Sequence, residues 1–234
     1  MTPAEWTTGR KKAGLTQVTA ARSLGVSQPY LSQLEKGLRV ASDLLARRAA
    51  RLYKLPPTAL PLPATGNVRD ISPNDLQRRF AALGYPGFEH VRSGAATNPA
   101  QTVLNAVVKR DLDTRLVEAV PWVLSTYTDL DWDWLRDHAK LQNAQNRLGY
   151  LVWLAYQTSD STSRTLPGRQ SAAQVLSKWK MELEEARLAS EGTLCRDSMP
   201  ERERTWLRKN RPEAAVHWNL LTGLSADQLP YAQN

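Results

Sequence analysis

The chain has 234 residues, ordinary apolar content and a single cysteine, Cys195; it has room for one large or two small domains, cannot close an internal disulfide, and fits a reducing cytoplasm. No run approaches the ~18 apolar residues of a membrane span, and the opening MTPAEWTTGRKK lacks the apolar centre of a signal peptide. The net charge of +8 is uneven: residues 1–62 hold ten Lys/Arg against three acids, +7, whereas the other 172 residues hold 21 bases and 20 acids.

Pro3 to about Ala13 reads as a first helix carrying Ala4, Trp6 and Ala13 and ending on Arg10-Lys11-Lys12. Thr16 can cap a second helix with Ala20 and Leu24 four apart, and Gly25 supplies the left-handed turn that ends it. Val26 is a buried spacer. Ser27 caps a third helix with Pro29 in its first turn, Leu31 and Leu34 inward, and Gln28, Ser32 and Gln33 outward. Two helices joined by a short glycine turn form a helix-turn-helix unit. Leu38 to Ala41 is a loop, and Ser42 caps a fourth helix with Leu44, Leu45, Ala49 and Leu52 on one side. Pro56-Pro57 stops it before one more turn at Thr58 to Leu60.

The stretch PLPATGNVRD marks a boundary, giving a domain over 1–62, a linker over 63–71 and a second domain over 72–234. There, helices are expected to start at Ser72-Pro73, Asn98-Pro99, Asp111-Leu112-Asp113 and Asp129 to Trp134, with Pro121 kinking or splitting the third. Tyr85 to Ala96 is a loop. Leu141 through Tyr156 is the most apolar helix, with Leu141, Ala144, Leu148 and Leu151 in register. Its polar run, Gln142 to Arg147, reads as a solvated stripe, with a buried amide network or a partner patch as alternatives. Ser159 to Gly168 is a polar loop, and Gln170 to Ala189 a long helix. Ser198-Met199-Pro200-Glu201 has capping-box spacing, and Pro212 opens a last helix with Ala215, Trp218 and Leu221 inward. With no alternating β segment, the expected class is all-α.

Gly14-Leu15-Thr16-Gln17, Ala21, Gly25 and Ser32 through Glu35-Lys36-Gly37 resemble the Cro/C1-type (Xre-like) helix-turn-helix family over about Arg10 to Leu60. The resemblance implies a lambda-repressor-like first domain, an ion pair between Arg10 and Glu35 fastening the first helix to the third, and a Gln17 that holds the DNA backbone. Two residues depart from the pattern. Ala20 is smaller than the leucine usual there, which thins the core, and Pro29 stands where many members place a polar base reader.

A major groove admits a helix whose first turn meets base edges. Gln28 and Gln33 can each donate to and accept from adenine, Pro29 can touch a thymine methyl, and Ser32 can reach a base; these four are the base-reading candidates. Gln17, Thr19, Arg22, Ser27, Tyr30, Lys36 and Arg39 are the backbone candidates, which position the module without supplying sequence information. A basic head on a near-neutral body is what attraction to phosphates requires. Docking geometry and the resemblance imply a homodimer on a palindromic double-stranded operator.

The function expected is a DNA-binding transcriptional regulator, a repressor of its own or a neighbouring operon, whose helical second domain dimerises or binds a protein partner. The alternative is an antitoxin-like regulator whose second domain neutralises a toxin or defence protein. An enzyme with a DNA-targeting module would need a catalytic cluster. The acids of Asp129 to Trp134 favour a helix start instead, and His90, His138 and His217 fall at no ligand spacing. No catalytic residue, metal or cofactor is therefore expected. The seven tryptophans beyond the boundary read as core, with Trp132, Trp134 or Trp206 as candidates for a partner surface.

Overall fold

The computed structural model describes residues 1–63, 70–163 and 167–231, the side chains of 160–163 and 167–171 excepted. The chain divides into two compact units, Met1–Ala64 and Thr65–Asn234. Most of the expected linker lies outside the described residues.

The first unit contains α1 (Pro3–Lys12), α2 (Gln17–Leu24), α3 (Gln28–Glu35) and α4 (Asp43–Leu52), then a 3-10 turn at Pro57–Ala59. Each helix starts on a cap. Thr2 and Glu5 close a capping box on α1, and the hydroxyls of Thr16, Ser27 and Ser42 accept from the N–H groups of Thr19, Tyr30 and Leu45. Gly25 ends α2 at φ 72°, where a side chain would be strained. Trp6, Ala20, Ala21, Leu24, Leu31, Leu34, Leu45, Ala49 and Tyr53 form the core. Ala20 contributes little volume, and the Trp6 and Tyr53 rings, meeting edge-on at 6.3 Å, supply the bulk.

Two side chains sit differently from expectation. Val26 is half-buried against the core rather than enclosed. Leu44 points outward, 62% exposed, because α4 buries the stripe Leu45, Ala46, Ala49 and Ala50, and Leu44 falls on the opposite face with Arg48 and Arg51.

The second unit comprises α5 (Pro73–Ala82), α6 (Pro99–Val108), α7 (Thr114–Thr126), α8 (Trp132–Leu141), α9 (Gln145–Ser163), α10 (Pro167–Glu185), α11 (Glu201–Asn210) and α12 (Glu213–His217). Two short strands, β1 (Gly192–Thr193) and β2 (Leu220–Leu221), pair in parallel, so Leu221 belongs to β2 rather than to the last helix. A 3-10 turn at Pro86–Phe88 interrupts the expected loop. In the centre, α9 packs along α10 and against α7.

Several boundaries move, each for a local reason. Asp113, not Asp111, caps α7, because Asp111 instead accepts from the backbone and hydroxyl of Ser198. That same contact diverts Ser198 from α11, which starts after Pro200 without a side-chain cap. α7 runs through Pro121 without splitting. Asn143 takes φ 52° and separates α8 from α9, so the apolar helix starts at Gln145 and Leu141 is left 71% exposed. α9 continues past Ser159 to Ser163; the Thr158 hydroxyl donates to the carbonyls of Leu154 and Ala155, so it is satisfied within the helix. α10 starts at Pro167 and ends at Glu185, earlier at both ends than expected.

The polar run after Leu141 is solvated only at Gln142 and Asn143; from Ala144 to Arg147 it is buried or half-buried. The Asn146 amide donates to the Leu188 carbonyl (2.9 Å) and accepts from its N–H (2.8 Å). Arg147 donates to the carbonyls of Thr193 (2.6 Å), Lys109 (3.0 Å) and Val107 (3.3 Å) and to the Asp197 carboxylate (2.7 Å). Burial pulls the Arg147 pKa below its ordinary value even with Asp197 opposing it. Beside it, Gly149 leaves room for Trp218: a Cβ there would overlap the indole, with Cε3 at 2.7 Å. Tyr150 donates to the Leu224 carbonyl. Little more than one turn of α9, Asn146 to Tyr150, thus has its partners among residues 188–224. Trp132 and Trp179 are buried and stacked at 5.4 Å, Trp218 is buried, and Trp206 is 60% exposed.

Candidate nucleic-acid interface

The candidate interface is organised around Glu35, the last residue of α3. Arg10 Nε donates to Glu35 Oε1 at 2.6 Å and Arg10 Nη2 to Oε2 at 3.0 Å, while Nη1 holds the Leu15 carbonyl at 2.9 Å. The two side chains are only 11% and 6% exposed. Burial pushes the Glu35 carboxyl up, but hydrogen bonds from Arg10 and Gln17 and the Arg10 charge outweigh it, so its pKa lies below the usual carboxylate value. The same hydrogen bond raises the Arg10 pKa.

From Glu35 the bonding runs to the surface. Gln17 Nε2 donates to Glu35 Oε2 at 2.8 Å, and Gln28 Nε2 donates to Gln17 Oε1 at 2.7 Å. An ionised carboxylate only accepts, which dictates that Gln17 turns its NH₂ to Glu35 and its oxygen to Gln28. Gln28 must then turn its NH₂ to Gln17. What it retains is one N–H and the carbonyl oxygen, a donor and acceptor side by side, as adenine recognition needs. The sequence reading missed this chain of three side chains. Its only trace is a glutamine at the first position of both α2 and α3.

The remaining candidates divide by what already holds them. Pro29 is exposed and Ser32 and Gln33 are half-buried, on the outward side of α3 opposite Leu31 and Leu34. Thr19 and Ser27 are exposed, but their hydroxyls serve helix caps, Thr19 with Thr16 and Ser27 with the Tyr30 N–H. Tyr30 packs its ring partly on the core. Arg22, Lys36 and Arg39 are exposed and make no ion pair among the described residues.

Among the described residues, no group of His, Cys, Asp and Glu could hold a metal ion. Burial pushes the Cys195 thiol up to about 11. No helix of the described residues is long and apolar enough to cross a membrane.

No curated protein and no solved structure matches the chain. Residues 9–60 match a family model described as helix-turn-helix. The first unit is therefore a helix-turn-helix domain of the Cro/C1 type, a module of DNA-binding transcription regulators.

Proposed function

We propose that the chain reads a double-stranded operator through Gln28, Pro29, Ser32 and Gln33 and represses its own or a neighbouring operon as a homodimer on inverted half-sites. The observation that carries this reading is the Glu35–Gln17–Gln28 chain, which presets a base-reading amide on a unit of charge +7. Gln17, Thr19, Arg22, Ser27, Tyr30, Lys36 and Arg39 hold the backbone in this scheme.

The test is a gel-shift titration of the full chain on a duplex it selects from a random-sequence library. Gln33→Ala loses ~1–3 kcal/mol of discrimination among single-base variants of that duplex. Arg39→Ala weakens binding to all of them alike and lowers the salt slope by about 1. Failure to select any duplex at low salt overturns the reading.

A second reading, an antitoxin-like regulator that neutralises a cognate protein, has one observation in its favour. Trp206 is 60% exposed on α11, and its neighbours Arg202 and Lys209 are exposed without an ion pair among the described residues. α11 is meanwhile tied to the preceding loop by Arg208 donating to Glu191 at 3.0 Å and by Arg204 donating to the Met199 carbonyl at 3.0 Å. An exposed tryptophan flanked by cations fits an interface anchor. Co-purification with the product of the adjacent gene, lost in Trp206→Ala, separates this reading from the first.

A further inference from the structure

We propose that a cleft between α9, α10 and α12 binds a free aromatic α-amino acid as its zwitterion, with the ring laid on Trp153 and the two charged groups held between Lys180 and Glu213. The site lies wholly within the second unit and does not depend on the DNA-binding reading. The cleft encloses about 750 Å³, within the range that small-molecule sites occupy, and most of its wall is apolar.

The wall is built on Trp153. Its half-buried indole is backed by the buried Tyr150 ring, nearly parallel to it at 15° with 5.8 Å between centroids. Tyr150 is itself fixed by donating to the Leu224 carbonyl, so Trp153 lines the cleft as a flat, held surface. Pro212, which leads into α12, and Trp218, which follows it, line the cleft as well. A planar hydrocarbon ring gains both apolar burial and offset stacking against such a wall.

Charge identifies the occupant. His217 Nε2 donates to Glu184 Oε2 at 2.7 Å, joining α12 to α10, and Arg187 Nε approaches the other Glu184 oxygen at 3.3 Å. That pair is satisfied by the protein itself. Lys180 and Glu213 stand four residues earlier on α10 and α12, on the same helix faces. Both line the cleft, yet neither makes an ion pair among the described residues. Lys180 Nζ lies over the Tyr156 ring at 4.9 Å, a contact that takes none of its hydrogen-bond donors. A ligand that serves both residues presents a carboxylate to Lys180 and an ammonium to Glu213. A free α-amino acid carries the two groups on one carbon, with its side chain as a third arm toward Trp153. A carboxylic acid or an amine alone leaves one of the two residues unmatched, and an internal residue of a peptide carries neither charge.

The experiment is isothermal titration calorimetry of the full chain with L-phenylalanine, paired with its tryptophan emission. Two analogues serve as comparisons: 3-phenylpropionate, which lacks the ammonium, and phenethylamine, which lacks the carboxylate. L-phenylalanine is expected to saturate one site per chain and to bind about 10-fold or more tightly than either analogue, the worth of one hydrogen bond to a charged group. Lys180→Met and Glu213→Gln are each expected to weaken it about 5- to 10-fold, the smaller figure allowing for solvent screening, with far-UV circular dichroism unchanged. Absence of saturable binding by L-phenylalanine, L-tyrosine and L-tryptophan alike overturns the proposal. Binding that both substitutions leave unchanged overturns it too, because the ligand then sits elsewhere. So does an analogue that binds as tightly as L-phenylalanine, since one of the two charges then plays no part. DNA is absent from the titration, so these outcomes are separate from success or failure in selecting an operator.

Discussion

Arg10→Met removes the charged partner of Glu35, the carboxylate around which the candidate interface is organised. It removes both bonds to Glu35 and the bond to the Leu15 carbonyl, leaving a carboxylate only 6% exposed with Gln17 as its hydrogen-bond donor. Hydrogen bonds to charged groups contribute ~1.5–3 kcal/mol each, and stranding one partner of a buried pair costs ~3–5 kcal/mol. The first unit should lose about 3 kcal/mol, since its carboxylate keeps Gln17 and can relax toward solvent. At 1.4 kcal/mol per tenfold, that is about 150-fold in its opening equilibrium. Amide hydrogen exchange of peptides spanning α2 and α3, read by mass spectrometry, should accelerate by that factor. Arg10→Met/Glu35→Leu should recover most of the loss, because no charge is left stranded. Unchanged exchange in the single variant, or a double variant no slower than the single, would refute the reasoning.

The Glu35 carboxyl titrates lower in the folded chain than in the unfolded one. Its contribution is therefore full above the unfolded carboxylate value of about 4.3 and is lost as pH falls through the folded value. Urea midpoints of the first unit should drop below about pH 4.3 in the wild type, and less steeply in Arg10→Met/Glu35→Leu. Gly149→Ala forces a methyl into the Trp218 ring and should cost the second unit ~1–3 kcal/mol or more, seen as a lowered thermal midpoint with altered tryptophan emission. Cys195, raised to about 11, should alkylate at pH 8 at least about 100-fold more slowly in the native chain than in urea.

What could be read in the sequence was short-ranged. Thr16, Ser27 and Ser42 cap helices through residues three positions on, and Gly25 turns the chain through its own φ, so each signal is complete within a few residues. Ser198 shows the limit. Its spacing suits a capping box, but Asp111, 87 residues away, takes its N–H and hydroxyl. The polar run misled for the same reason, since the partners that make burial of Asn146 and Arg147 tolerable lie between 38 and 50 residues distant. At the interface, the outward placement of Gln28 and Gln33 followed from periodicity. The bond between Gln17 and Gln28 did not, because it joins two helices across a turn and neither residue demands it alone.

The closure of this first part of α9 by residues 188–224 bears on how the chain is made. Domains fold in order of emergence during synthesis, and the core of the first unit draws only on residues up to Leu55. That head can finish while Arg147 of α9 still lacks its Thr193 and Asp197 partners and the groove over Gly149 is empty. A polypeptide interrupted before Leu188 would carry a completed reading head on an open body, competent to occupy DNA and readily cleaved by proteases. Premature stops in that region should therefore yield short-lived occupants of the operator rather than simple nulls.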